Sequence, residues 1–113
     1  MSVNWKPKYY HEIQRAIQAR TEGNEGMARV CARRAAGEVI GEYFQRNQLS
    51  LPTSALNAVK ALSQSDRVSP RVREIATHFV WQITTDHTLP ENVDLLAEAQ
   101  WLAKELLDEP IQS

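Results

Sequence analysis

Three arginines, Arg29, Arg33 and Arg34, have the type and spacing to hold a phosphate group. Arg29 and Arg33 lie four residues apart and therefore share a face of a helix. A guanidinium fork matches two phosphate oxygens at once. The same segment also predicts a solvated seam, in which Arg34 forms an ion pair with Glu38 beside Glu42. The pattern thus leaves a phosphate clamp and an ion-paired surface both open.

The other residues that could carry chemistry are few and scattered. Asp86 and His87 are neighbours in a turn-like stretch, where they could act as a catalytic or metal-binding pair or simply form the turn. His11 is expected to be solvated. Cys31 is the only cysteine, which excludes an intrachain disulfide, and its apolar surroundings place it in the core. Without a zinc-type Cys/His pattern or a Gly-rich phosphate loop, the sequence predicts no metal and no cofactor.

Two tryptophans and two glycines are candidates for an interface. Trp81 and Trp101 project away from the apolar stripes of their predicted helices, and tryptophan is enriched at protein interfaces. The alternative is that each ring packs under a loop or a neighbouring helix. Gly37 and Gly41 each cost about 1 kcal/mol of helix propensity relative to alanine. Close approach of another backbone, within the chain or across a homodimer, would offset that cost.

Length and charge limit the possible classes of protein. The 113 residues fit one domain spanning 1–113, with a core that needs no metal or disulfide. The net charge of −1 argues against non-specific binding to nucleic acid. No run approaches the ~20 apolar residues of a membrane span, and residues 1–10 lack the apolar core of a signal peptide. We therefore expect a cytoplasmic protein that does not enter a membrane.

Helical periodicity recurs along the chain, and strand signals are nearly absent. Capping and helix-breaking residues predict where the helices begin and end. The first helix is expected from near Pro7 to near Gly23, and the second is capped by Asn24 and runs to about Arg46. A short third helix follows Pro52, a fourth starts at Ser69-Pro70, and a fifth is capped by Asn92 or a neighbour and stopped by Pro110. The predicted fold is all-α: an antiparallel up-and-down four-helix bundle with an additional short helix across one end.

The second helix is predicted to be central because it is apolar on two sides. One stripe holds Ala28, Ala32, Ala35, Ala36, Val39 and Tyr43, and the roughly opposite stripe holds Val30, Gly37, Gly41 and Phe44. A helix of this kind packs against neighbours on both sides.

The segment ARVCARRAAGEVIGEYF is followed by a short helix and, later, by the Ala-containing segment DLLAEAQWLAKELL. In these three features the chain resembles the HEPN family (higher eukaryotes and prokaryotes nucleotide-binding). The resemblance implies a small helical bundle and, for many members, a homodimer. Family members include ribonuclease toxins, partners of small nucleotidyltransferases in toxin–antitoxin pairs, and non-catalytic nucleotide-binding modules. For this chain, the resemblance therefore implies one of three kinds of partner: a second copy in a homodimer, a nucleotidyltransferase-type protein, or a nucleotide or RNA.

Ribonuclease members of that family carry an arginine, then four to six residues, then a histidine. The pair Arg73 and His78 has this spacing, and Arg71 also precedes His78. On one helix Arg73 and His78 point about 140° apart, so they could meet only across a dimer. We therefore expect a non-catalytic protein that acts by binding. The alternative is a metal-independent ribonuclease that uses His78 as acid and base and Arg73 or Arg71 to stabilise charge.

Overall fold

The computed structural model of the chain describes residues 4–50, 54–83 and 92–111. These residues contain helices and no strand, which confirms the all-α prediction. The helices are α1 (Trp5–Thr21), α2 (Glu25–Arg46), α3 (Ala55–Ser63), α4 (Pro70–Ile83) and α5 (Leu95–Leu107). Their packing is consistent with a bundle.

Capping side chains set where the first two helices begin. Helix α1 begins two residues earlier than predicted because the Asn4 side chain accepts a hydrogen bond from the Lys6 amide, which leaves Pro7 inside the first turn. It ends where Gly23 adopts a φ of 80°, a left-handed conformation that suits glycine. Asn24 then caps α2 as predicted, by accepting a hydrogen bond from the Met27 amide.

Helix α2 is the central packing element, as its two apolar stripes predict. It contacts α1, α5 and α3. Ala32, Ala35 and Ala36 are completely buried, so the neighbouring helices come close to its backbone. On the other stripe Phe44 is buried, whereas Gly37 and Gly41 are half-buried.

Two polar clusters fix the direction of α5. Arg20, at the end of α1, donates hydrogen bonds both to Glu25 at the start of α2 and to Asp94, the N-cap of α5. At the other end of α1 the Tyr10 hydroxyl donates to Glu109, just beyond α5, at 2.6 Å. Helix α5 therefore runs parallel to α2 and antiparallel to α1. Its cap is Asp94, a neighbour of the predicted Asn92.

Helices α3 and α4 form the other side of the molecule. Helix α3 begins beside the middle of α2, where the Ala55 side chain lies against Gly37, and it packs on both α2 and α4. Ser69 accepts a hydrogen bond from the Val72 amide, and Pro70 occupies the first position of α4, as predicted. Phe79 anchors α4 in the core with no exposed surface. Within the described ranges, no helix is long and apolar enough to cross a membrane.

Candidate functional site

An open groove lies over the middle of α2, with α1 and α3 as its walls. Its volume is about 330 Å³. The lining residues are Glu12 from α1, Arg34, Gly37, Glu38 and Gly41 from α2, and Ser54, Ala55 and Ala58 from the α3 end. We call this depression the α2 groove. A neighbouring depression shares Glu12 and Glu38 and adds Pro7, Lys8 and His11, so it adjoins the groove along α1.

The two glycines of α2 have different surroundings in the groove. A Cβ atom on Gly37 would lie 3.4 Å from the Cβ of Ala55, so α3 already packs against this position. A Cβ atom on Gly41 would meet no atom of the described residues within 4 Å. Gly37 therefore allows the close approach of α3, whereas Gly41 leaves open space in the floor of the groove. Their assignment to an interface between subunits stays a prediction.

Arg34 and Glu38 line the groove without pairing with each other. The ion pair predicted between them is not formed among the described residues, because no ion pair or side-chain hydrogen bond joins either one to another residue there. The α2 ion pair forms about two turns later instead, where Arg46 donates to Glu42 at 2.8 Å. Within that part of the chain, the groove therefore presents one unpaired cation, Arg34, and one unpaired anion, Glu38, about one helical turn apart. Its other carboxylate, Glu12, pairs with Arg15.

The three candidate phosphate-binding arginines do not form one cluster. Arg33 and Arg34 are consecutive, so they point about 100° apart around α2, and only Arg34 lines the groove. Arg29 and Arg33 are half-buried on a different side. The Nε of Arg33 is buried without a hydrogen-bond partner among the described residues. Burial, together with the charge of Arg34, lowers the pKa of Arg33.

Arg73 and His78 point to different parts of the chain. The Arg73 guanidinium donates from Nη1 to the backbone oxygens of Ser65 and Val68, at 3.1 and 2.7 Å. It therefore holds the connection between α3 and α4. His78 instead contacts Glu98 on α5. The two residues are not brought together within one chain.

Glu98 is the polar partner that the sequence analysis missed. Its carboxylate oxygens lie 2.9 and 3.1 Å from Nδ1 of His78, and the two side chains are only 12% and 13% exposed. Burial raises the pKa of Glu98, and the hydrogen bond to His78 offsets this only in part. The available signal was spacing: Glu98 lies three residues after Leu95 and four before Leu102, on the side of α5 that carries those buried leucines.

The other candidate residues include two tryptophans, whose assignment to an interface stays a prediction. Trp81 and Trp101 are both half-buried. Trp101 packs against the core, and the Trp81 ring lies 5.9 Å from the His78 ring. Cys31 is buried, as predicted, and burial raises the pKa of its thiol. Asp86 and His87 fall outside the described residues. Among the described residues, no group of three His, Cys, Asp or Glu side chains is placed to hold a metal ion.

Comparison of the chain with protein-family models, with curated proteins and with solved structures gave no match in any of the three. The resemblance to the HEPN family therefore depends on the sequence pattern described above.

Proposed function

We propose that this chain is a HEPN-like helical bundle of the antiparallel four-helix type that acts by binding, and that the α2 groove is its binding site. One observation supports the groove above other surfaces. Arg34 and Glu38 line it one helical turn apart, and neither side chain is paired within the described residues, so both are available to a ligand.

The chemistry of the groove favours a nucleotide as ligand. Arg34 supplies a fork for a phosphate group, and Lys8 offers a second cation in the adjoining depression, which Glu12 and Glu38 also line. Glu38 can accept hydrogen bonds from a base amino group or from ribose hydroxyls. A volume of about 330 Å³ lies at the lower end of the range for small-molecule sites, which suits a mononucleotide better than a larger cofactor.

Arg34→Gln is expected to weaken nucleotide binding by about tenfold or more, because a hydrogen bond to a charged group is worth about 1.5–3 kcal/mol. The measurement is a calorimetric titration with AMP, GMP, CMP and UMP. Arg46→Gln is the matched control: it removes the same charge from the same helix, outside the groove. We expect it to leave the affinity within about twofold.

Two results would contradict the proposal. One is that none of the four nucleotides binds the wild-type protein at millimolar concentration. The other is that Arg34→Gln and Arg46→Gln weaken binding equally, which would mean that general charge and not the groove attracts the ligand.

A second candidate function is a metal-independent ribonuclease, and the His78–Glu98 contact favours it. A carboxylate at Nδ1 fixes the imidazole ring and leaves Nε2 to exchange a proton with a substrate. Arg73 is occupied by backbone carbonyls. Arg71 lies two turns before His78 on the same side of α4, and is therefore the better cation for a phosphate. Its ion pair with Glu74 would have to open.

An RNA-cleavage assay without metal tests this second candidate. If it holds, His78→Gln abolishes cleavage while His11→Gln, at an exposed histidine, does not. Absence of cleavage by the wild-type protein removes the candidate. Sedimentation of the same samples shows whether the active protein is a dimer. A dimer is required if Arg73 of one subunit acts together with His78 of another.

A further inference from the structure

The contact between His78 and Glu98 differs from every other ion pair among the described residues. It is the one pair there in which both side chains are less than 15% exposed. It also joins two helices, whereas the Arg46–Glu42 and Arg71–Glu74 pairs each lie within one helix. A pair enclosed to this extent is screened little by solvent, so its charge state affects stability more than that of a surface pair.

The pair lies where the bundle has little other contact. Helix α4 packs extensively on α3 but only sparsely on α5. We propose that His78 and Glu98 form a pH-sensitive clasp that holds α4 against α5. This inference goes beyond the proposed binding function and is independent of it, since neither residue lines the α2 groove.

The charged groups that act on the Glu98 carboxylate, besides His78, are Arg71 and Glu74 of α4. On α4, Arg71 lowers the pKa of Glu98 and Glu74 raises it; these two side chains pair with each other, so their effects partly cancel. The only charged residue of α3, Lys60, is exposed. Burial is therefore the main influence on the Glu98 carboxylate, and the contact with His78 opposes it.

The direction of the pH dependence follows from the carboxylate. Because burial raises the pKa of Glu98, the folded chain holds this proton more tightly than the unfolded chain. The resulting stabilisation is present below the usual carboxyl pKa and is lost as the pH rises through the raised value. Above that value the carboxylate is charged in a position that little solvent reaches, so the clasp weakens as the pH rises.

A double-mutant cycle with His78→Gln, Glu98→Gln and the double variant tests the clasp. Glutamine keeps similar size and a hydrogen-bonding group at each position. We expect the coupling between the two sites to change the unfolding equilibrium constant by about tenfold at pH 5.5 and by about twofold or less at pH 8. His11→Gln is the control for an exposed histidine and should show no coupling with Glu98→Gln.

Equal coupling at the two pH values, or no coupling at either, would overturn the clasp. If a glutamine variant does not fold, native-state hydrogen exchange of the wild-type protein decides the question. Protection of the α4 amides, corrected for intrinsic exchange rates, should fall from pH 5.5 to pH 8 relative to that of the α1 amides. Unchanged relative protection overturns the proposal.

Discussion

Replacing Phe79 with alanine is expected to lower the free energy of unfolding by about 3–5 kcal/mol, which is a large part of the stability of a domain of this size. Phe79 has no exposed surface and is the largest of the completely buried side chains among the described residues. It lies in α4, which packs mainly on α3 and only sparsely on α5. The truncation therefore removes buried apolar surface and leaves a cavity that few surrounding contacts can close.

Chemical denaturation of wild type, Phe79→Ala and Ile17→Ala measures this effect. Ile17 is 41% exposed, so its truncation is expected to cost about 1 kcal/mol or less. A loss below about 1 kcal/mol for Phe79→Ala would show that α4 does not pack into the core in this way.

Leucine substitutions at Gly37 and Gly41 are expected to have opposite effects, although the two glycines lie one turn apart on α2. At Gly37 a Cβ atom would already be in van der Waals contact, 3.4 Å from the Ala55 Cβ, so the rest of a leucine side chain must displace α3; we expect a loss of about 1–3 kcal/mol. At Gly41 the Cβ meets nothing within 4 Å, so better helix propensity should raise stability by about 0.5–1 kcal/mol.

Thermal and chemical denaturation check the pair, with Gly26→Ala as the control for a helical glycine away from the groove. The Gly41→Leu side chain should also occupy the groove and block nucleotide binding. If Gly41→Leu destabilises the chain as much as Gly37→Leu does, the floor of the groove is not open at Gly41. If it is stable and still binds nucleotide, the ligand lies elsewhere.

Local signals in the sequence predict the helices well because caps and breakers act over a few residues. Asn24 and the Ser69-Pro70 pair mark the starts of α2 and α4 directly. The start of α1 was predicted too late because proline is tolerated anywhere in a first turn, and the cap at Asn4 decides the boundary. The central position of α2 also follows from sequence, since two apolar stripes on one helix require neighbours on both sides.

Side-chain partners were much harder to predict. Arg34 and Glu38 have the spacing of an ion pair, but an exposed pair of this kind contributes so little energy that the surroundings decide whether it forms. The contact of Arg20 with Asp94 joins residues 74 positions apart, and that of His78 with Glu98 depends on how α4 packs against α5. Helical periodicity shows which side of a helix is buried but not which helix covers it.

The two proposed functions make different use of the molecule. Binding in the α2 groove depends on Arg34 and Glu38, whereas ribonuclease activity depends on His78 and Glu98 on the α4–α5 side. A variant of one set should therefore leave the other function unchanged.

Chemical-shift mapping shows, residue by residue, whether the α2 groove binds a nucleotide. In a titration of the isotopically labelled wild-type protein with AMP and GMP, we expect amide shifts that are concentrated at residues 34–41 and 54–58 and are absent from Arg34→Gln. Shifts concentrated instead on α4 and α5, or no shifts at millimolar nucleotide, would rule out nucleotide binding in the groove.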